Sequence, residues 1–414
     1  MENKLTGLPK SVVEVGRRCC GCGVCATICP KRCVSIEQDD MGFPISKVDK
    51  SVCISCGACV KVCPVYSDGG RQEAASCQWV ISQDEQTLVK SSSGGVFSLL
   101  AKDVLANGGV VYGARLSEDC KLVFHARAEN ESELEEMRGS KYVQSLISDD
   151  VYRQVAHDLK SGRRVLWTGV PCQASACVRY LVARKVDTNN LLCVDVICHG
   201  VPSPEIWRKW ILCKEEKRGA PIERTTFRDK VTGWPGFSMT YRFRSGEIEG
   251  DLYYKDWYYA AFNSNLMLRD SCFDCPSKRS SGSDITIGDF WGFQQIHPDV
   301  DCSRGVSAVV ANTPKGDKAL GRICTFVECG PSNYNEIYAG NPSLEVCPRR
   351  PQEWGAFRRM VSEGAEIPDL MERWSFRRSK VRVIRDGFVR VIKRIMGPKL
   401  MQTMQAKRFE ARKG

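Results

Sequence analysis

Residues 19–30 read CCGCGVCATICP, and residues 53–64 read CISCGACVKVCP. Both stretches contain the spacing C-x2-C-x2-C-x3-C-P, which starts at Cys19 in the first and at Cys53 in the second. Three cysteines at three-residue intervals can wrap only three corners of a 4Fe-4S cube, so the fourth thiolate of each cube comes from the other stretch. The proline after each run prevents a helix from starting at the last cysteine.

This spacing is the ligand pattern of a two-cluster bacterial ferredoxin. Zinc and disulfides are the alternatives, but zinc sites use single or paired C-x2-C knuckles rather than four cysteines in a row twice over. Cys20 breaks the spacing, and we interpret it as a spare. The predicted ligands are Cys19, Cys22, Cys25 and Cys63 for cluster I, and Cys53, Cys56, Cys59 and Cys29 for cluster II.

The composition indicates a globular protein of more than one folded unit. The chain has 414 residues, beyond the size at which one hydrophobic core usually keeps growing. It has no apolar run of membrane-spanning length, and its first residues lack the apolar core of a signal peptide. In a reducing compartment, 23 cysteines indicate metal binding rather than disulfides. We therefore expect a cytoplasmic protein that is soluble or peripheral at the inner face of the membrane.

The net charge of +11 lies in the C-terminal tail. Residues 376–414 contain thirteen Lys and Arg against Asp386 and Glu410, so the rest of the chain is neutral. A neutral body argues against a nucleic-acid ligand, because phosphate binding needs a basic face built into the fold. In the tail, apolar residues recur from Val381 to Ile395 at three- and four-residue steps. This basic amphipathic helix suits an anionic membrane surface or an acidic partner; a terminal helix docked on the body is the alternative.

Between the cysteine runs and the tail, short apolar runs alternate with helical patterns. Residues 110–114, 164–168 and 191–197 fit buried strands, and residues 96–106 fit a helix. We therefore expect an α+β ferredoxin-like two-cluster module, a larger α/β domain with a mixed sheet, and the basic C-terminal helix. The predicted boundaries are residues 15–66 for the module, 67–76 for a linker, 77–345 for the α/β domain and 346–414 for the tail.

Four further cysteines form a third candidate metal site. Cys272 and Cys275 are spaced C-x2-C, and Cys172 and Cys198 each follow an apparent strand. Side chains at the carboxyl ends of neighbouring strands converge on one crevice of an α/β sheet. From spacing alone, this set fits either zinc or a third 4Fe-4S cluster.

Several strings in this region together resemble the coenzyme F420 hydrogenase/dehydrogenase beta-subunit family over about residues 15–330. The resemblance includes bacterial members found with polysaccharide-building enzymes. The strings are SSSGGVFSLLAKDVLANGGVVYGA (91–114), GSKYVQS (139–145), TGVPCQ (168–173), DVICHGVPSP (195–204), FRDKVTGWPGFS (227–238) and CFDCPSKRSSGSDITIGDFWG (272–292).

The resemblance implies an iron-sulfur flavoprotein that exchanges electrons with a diffusible two-electron acceptor such as a deazaflavin. It favours a third 4Fe-4S cluster at Cys172, Cys198, Cys272 and Cys275, and a flavin, either FAD or FMN. Ser93, Gly94 and Gly95 before a helix are candidates for phosphate binding, with a tight turn as the alternative. The other candidate flavin residues are Gly139, Ser140, Lys141, Tyr142 and His199.

Two functions follow from these expectations. The first is an oxidoreductase that receives electrons from a donor protein or reduced carrier and passes them through clusters and flavin to a small organic acceptor. The second is an electron-transfer subunit without substrate chemistry of its own, which serves a separate catalytic partner. The acceptor is F420-like or another reducible compound, with polysaccharide biosynthesis as one setting.

Overall fold

The computed structural model describes residues 9–66, 70 and 72–376. The predicted tail helix at residues 381–395 lies outside these residues, as does part of the predicted linker. Gln72 donates a hydrogen bond from its side chain to the Ser283 carbonyl (3.1 Å), and the first strand of the α/β domain begins at Ser76. In the described part of the chain, every helix is too short or too polar to cross a membrane.

The N-terminal module is a small α+β unit that contains one local pattern twice. In each copy, a glycine in the left-handed region, Gly23 or Gly57, caps a short helix that ends just before the C-P step. An antiparallel hairpin lies between the two helices. The elements are a 3-10 helix (Val12–Arg18), α1 (Val24–Ile28), β1 (Val34–Gln38), β2 (Pro44–Val48), α2 (Ala58–Val62) and a 3-10 helix (Pro64–Tyr66).

The larger domain contains eleven strands, and the predicted runs at residues 110–114, 164–168 and 191–197 are β4, β6 and β7. Their apolar character reflects burial on both faces of a sheet. The strands are β3 (Ser76–Ser82), β4 (Val110–Leu116), β5 (Val123–Ala128), β6 (Val165–Gly169), β7 (Leu191–Val196), β8 (Ile222–Asp229), β9 (Ser238–Phe243), β10 (Ile248–Leu252), β11 (Ile285–Asp289), β12 (Ser307–Ala311) and β13 (Val327–Pro331).

The described residues of this domain and of the chain that follows it contain twelve α-helices. The helix predicted at residues 96–106 is α4. The helices are α3 (Glu85–Lys90), α4 (Val96–Ala106), α5 (Glu131–Met137), α6 (Asp149–Lys160), α7 (Pro171–Ala183), α8 (Pro204–Arg218), α9 (Trp257–Asn263), α10 (Phe293–Ile296), α11 (Pro314–Ile323), α12 (Tyr334–Gly340), α13 (Trp354–Ser362) and α14 (Ile367–Arg373).

Eight strands form one mixed sheet in the order β13-β3-β12-β11-β7-β6-β4-β5. The four strands β11, β7, β6 and β4 run parallel, while the strands on either side are antiparallel to their neighbours. Their carboxyl ends therefore meet at one edge, where α/β sheets bind ligands. The predicted mixed α/β sheet is confirmed.

Alternating side chains of the central strands pack against two helix layers. On β6, Val165 and Trp167 belong to the core formed with α6 and α7, whereas Leu166 faces the core formed with α4 and α11. The module lies on the α6 and α7 side, and Cys22 and Val24 are part of that core. This packing brings the N-terminal cysteines close to the start of α7.

The remaining three strands form a separate antiparallel sheet in the order β10-β9-β8. Its aromatic residues pack against α8 and α9 in the largest core of the described residues, which α13 and α14 also join. Buried Lys209 of α8 donates hydrogen bonds to the Ala365 carbonyl and to the Glu366 carboxylate, both at 2.8 Å. The first part of the predicted C-terminal region is therefore packed on the body.

Candidate iron-sulfur and flavin site

The predicted ligands of the two N-terminal clusters lie in two groups. Cys25 is close enough to Cys19 and Cys63 for their charges to act on it, and Cys22 is similarly close to Cys25 and Cys63. The second group lines one small cavity and consists of Cys29, Cys53, Cys56 and Cys59. The fold thus brings the last cysteine of each run to the other run, as the two-cluster spacing requires.

A fifth cysteine lies beside the second group. Cys33 lines the same cavity, and its Sγ is 3.4 Å from that of Cys29. Its side chain is buried, and it takes the position of a small core residue after the C-P step. Sequence analysis did not single it out, because it falls outside the repeated spacing.

The cysteines of the third candidate site line one cavity, which we call the cysteine cavity. Cys172 is the second residue of α7, Cys198 follows β7, and Cys272 and Cys275 lie at the short 3-10 helix Asp270–Asp274. Burial raises the pKa of the Cys198, Cys272 and Cys275 thiols, so these groups stay protonated until a metal displaces the protons.

Two cysteines outside the predicted ligand set also reach this region. Cys20 lines the cysteine cavity, where the thiols of Cys172 and Cys22 hold its pKa well below the usual range. The Cys347 sulfur accepts a hydrogen bond from the Cys275 backbone N–H at 3.2 Å. Cys20 therefore connects the module to the third site, a role that its irregular spacing did not indicate.

The cysteine cavity is closed by the module on one side. Arg18, Cys20, Pro64 and Val65 form part of its wall. Buried Tyr152 of α6 fixes this arrangement by donating a hydrogen bond to the Cys22 carbonyl at 2.7 Å. The third site is thus built at the interface between the module and the α/β domain.

Arg269 holds the first cysteine run against the α/β domain. Its guanidinium is buried and donates hydrogen bonds to the carbonyls of Cys19 and Pro44, both at 2.7 Å, and to the Gln144 side chain at 3.0 Å. The Gln144 amide in turn donates to the Cys20 carbonyl at 3.0 Å. These contacts fix the backbone on both sides of the peptide bond between Cys19 and Cys20.

A larger cavity of about 490 Å³, the central cavity, lies beyond the carboxyl ends of the parallel strands. Thr168 of β6, Val196 of β7 and Asp289 of β11 line it. Its volume and mixed apolar and polar lining are typical of a cofactor site. The two cavities share a wall that consists of Val170, Cys198, His199, Gly200 and Val201.

Seven of the eight predicted flavin residues line the central cavity: Ser93, Gly95, Gly139, Ser140, Lys141, Tyr142 and His199. The eighth, Gly94, does not line the cavity but joins the loop to the neighbouring strands. Its N–H donates to Ser307 Oγ at 2.9 Å, and a Cβ at this position would lie 2.0 Å from the Val80 carbonyl oxygen. Only glycine fits there.

The loop of residues 91–95, which contains the predicted residues 93–95, is joined to the predicted residues 139–142 by a hydrogen bond. The Ser140 N–H donates to Ser92 Oγ at 2.7 Å. The first loop leads into the N-terminus of α4, where free backbone N–H groups and the helix dipole favour an anion. Burial lowers the pKa of Lys141 in the second loop to about 7.

Sequence analysis assigned no role to Arg228, which is buried at the wall of the central cavity. Its guanidinium forms a two-pronged ion pair with Asp289 (2.7 and 3.0 Å) and donates to Tyr142 Oη at 3.1 Å. Trp234 also donates to Asp289, at 2.8 Å. The signal for this network was the FRDK string, which contains Arg228 and resembles the family.

Two histidines face the central cavity. His199 is hydrogen-bonded through Nε2 to Asn265 Oδ1 at 2.6 Å, and burial lowers its pKa. His125 is nearly inaccessible; its ring nitrogens contact the Thr168 carbonyl (3.0 Å) and Ser145 Oγ (2.9 Å), and burial lowers its pKa to about 4. Both imidazoles are therefore neutral at pH 7.

Comparisons with known proteins agree with the two parts of the chain. Residues 18–66 match the model of the 4Fe-4S dicluster domain, and residues 162–326 match that of the C terminus of the coenzyme F420 hydrogenase/dehydrogenase beta subunit. The search of curated proteins found no match.

Among solved structures, the chain is similar to one from the F420-reducing [NiFe] hydrogenase complex of Methanosarcina barkeri. The sequence identity is 17% and the TM-score is 0.44, over 71% of this chain and 89% of that one. By family model, the chain thus matches a 4Fe-4S dicluster domain over residues 18–66 and the C terminus of the coenzyme F420 hydrogenase/dehydrogenase beta subunit over residues 162–326.

Proposed function

We propose that the protein is an iron-sulfur flavoprotein oxidoreductase that passes electrons from its dicluster module to a small organic two-electron acceptor. The observation that carries this proposal is the order of the sites. The module forms one wall of the cysteine cavity, and Cys198, His199 and Gly200 form part of the wall between that cavity and the central cavity. Electrons from the module thus have a short route into the cofactor-sized space.

The residues of the cysteine cavity fit a third 4Fe-4S cluster. All of its candidate ligands are thiols, which is the donor set of such clusters. In the described residues no three His, Cys, Asp or Glu side chains are grouped to hold a single metal ion. A zinc ion would need all four sulfurs at about 2.3 Å from one point, whereas a cube takes them at separate corners.

The residues of the central cavity fit a flavin. Ser93, Gly95 and the N-terminus of α4 would hold its phosphate, and a phosphate there would favour the charged form of nearby Lys141. Tyr142 is fixed by Arg228 and by edge contact with Tyr259 (ring centroids 5.0 Å apart), and it presents an aromatic wall. A bound flavin collects single electrons and delivers them in pairs.

The acceptor binds next to the flavin in this proposal, and a deazaflavin such as F420 is one candidate. His125 and His199, both neutral, would line that space without adding charge. The use of F420, the polysaccharide setting and the membrane or acidic partner of the tail stay predictions from the sequence.

The test is anaerobic purification followed by iron, sulfide, zinc and flavin counts per chain. We expect about twelve irons and one flavin. Cys272→Ser should leave about eight irons with the signals of the module intact. Cys177→Ser, a buried cysteine of α7 that lines neither cavity, is the matched control and should retain all three clusters.

About eight irons with one zinc and no flavin would overturn the oxidoreductase proposal. A full complement of clusters and flavin, with flavin reduction but without turnover of any deazaflavin or other organic acceptor, would favour the electron-transfer subunit instead.

A further inference from the structure

We propose that the exposed rim of the cluster II site is the docking surface for an acidic one-electron carrier protein. This inference rests on the proposed function only in that electrons come from outside the chain. The surface, which we call the cluster II rim, consists of Lys10, Lys31, Arg32, Lys50, Val52, Ile54 and Cys56.

The two cluster sites differ in their access to solvent. Cys56 of the second site is exposed, whereas Cys22, Cys25 and Cys63 of the first are buried. Cys22 also packs in the core of the α/β domain, so the first site faces the body. Of the two sites, the second is therefore the one that an outside protein can approach.

The middle of the rim is apolar. Ile54 is 57% exposed and Val52 is 46% exposed, and they flank Cys53, a predicted cluster II ligand. Ile54 lines the cavity of the cluster site itself. Exposing these branched apolar side chains to water is unfavourable, and they contribute nothing to the core. An apolar centre inside a polar rim is the usual anatomy of a protein contact surface.

The edge of the rim is basic. Lys10 and Lys31 line the same cavity as Ile54, and Arg32 follows Lys31 in the chain. Lys50 follows Asp49, whose backbone N–H donates to the Cys33 carbonyl at 2.8 Å. All four are exposed, and none forms an ion pair with a carboxylate among the described residues. The nearby acid, Asp49, already accepts hydrogen bonds from the backbone and hydroxyl of Ser51.

This combination fits a protein with a negative surface. Unpaired cations around an apolar centre attract an acidic partner from a distance and speed its association. The small apolar contact then holds the partner only for a short time. Such weak, charge-steered contacts suit a carrier that must leave after giving up one electron.

The experiment follows reduction of the module clusters in the full-length holoprotein by stopped-flow absorbance, with a purified, reduced acidic two-iron ferredoxin as donor. Lys10→Glu/Lys31→Glu should slow the second-order rate by about tenfold at low salt and remove most of its salt dependence. The control variant Lys160→Glu/Lys217→Glu carries the same charge change at exposed lysines of α6 and α8.

Reduction by dithionite, which needs no docking protein, should be equal in all three proteins. The proposal is overturned if the two double variants slow the ferredoxin reaction equally, or if neither does. It is also overturned if sedimentation shows that the rim joins two copies of the chain. The second-order rate measures entry of the first electron into the chain, so the difference between the two double variants can be read whether or not a third cluster and a flavin are bound.

Discussion

Gly21 lies where the module packs against Arg269 of the α/β domain. It has φ +67°, and a Cβ there would lie 2.4 Å from the Pro44 carbonyl oxygen and 2.7 Å from Arg269 Nη1. Gly108 has nearly the same φ, +69°, with open space around it. Comparing alanine substitutions at the two glycines therefore distinguishes the cost of a positive φ from the cost of a steric overlap.

Gly21→Ala should destabilise the protein by about 3 kcal/mol, because it adds an overlap to the cost of the left-handed backbone. Gly108→Ala should lose only about 1 kcal/mol. Chemical denaturation followed by tryptophan fluorescence measures both. An equal loss of unfolding free energy in both variants would mean that the atoms around Gly21 move aside without destabilising the protein.

His125 should make stability depend on pH between about 6.5 and 4. Its folded pKa of about 4 is below the value of about 6.5 in the unfolded chain, so the unfolded state binds the proton first as pH falls. From pH 7 to pH 5 this should cost about 2 kcal/mol of unfolding free energy. His125→Asn should lose that part of the pH dependence, whatever its stability at pH 7. Unchanged slopes would show that His125 takes up a proton without unfolding.

At the residue scale, the sequence predicted sites best where a spacing rule applied. The eight cysteines of the two runs follow such a rule, and they are found in two groups. Cys20 and Cys347 follow none, because their neighbours come from segments far along the chain. Arginine is usually an exposed residue, so the residue type alone does not show that the fold buries Arg228 in a network with Asp289.

At the scale of elements, the loop of residues 91–95 and the loop of residues 139–142 should bind flavin as one unit. Ser92→Ala removes the acceptor of the Ser140 N–H, so we expect the flavin dissociation constant to rise about tenfold, the equivalent of one hydrogen bond. Flavin titration of the stripped protein measures it. Ser362→Ala removes a comparable hydroxyl at the end of α13 and should leave the constant unchanged.

The secondary-structure elements were predictable where the apolar residues followed a single clear pattern. The strands β4, β6 and β7 are continuous apolar runs because both of their faces are covered, and α4 begins and ends at its predicted residues. The small sheet of β8, β9 and β10 was not predicted. Its strands mix charged and aromatic residues, and its core forms only when α8 and α9 pack on it.

At the scale of the whole molecule, we expect the module and the α/β domain to unfold in one transition. Gln144, Tyr152 and Arg269 all bond to backbone carbonyls of the first cysteine run. All nine tryptophans lie after residue 66, so their fluorescence reports on the α/β domain, while cluster absorbance reports mainly on the module. The two melting curves should coincide. Cluster loss well before the fluorescence change would mean that the interface is not cooperative.

The wall that the module contributes to the cysteine cavity also sets an order for the maturation of the protein. Arg18, Cys20, Pro64 and Val65 of the module form part of that wall. After the module has docked, it covers the thiols of Cys172 and Cys272. A scaffold protein that delivers the proposed third cluster would therefore have to reach them before the module docks, and the chain would be loaded during assembly rather than afterwards.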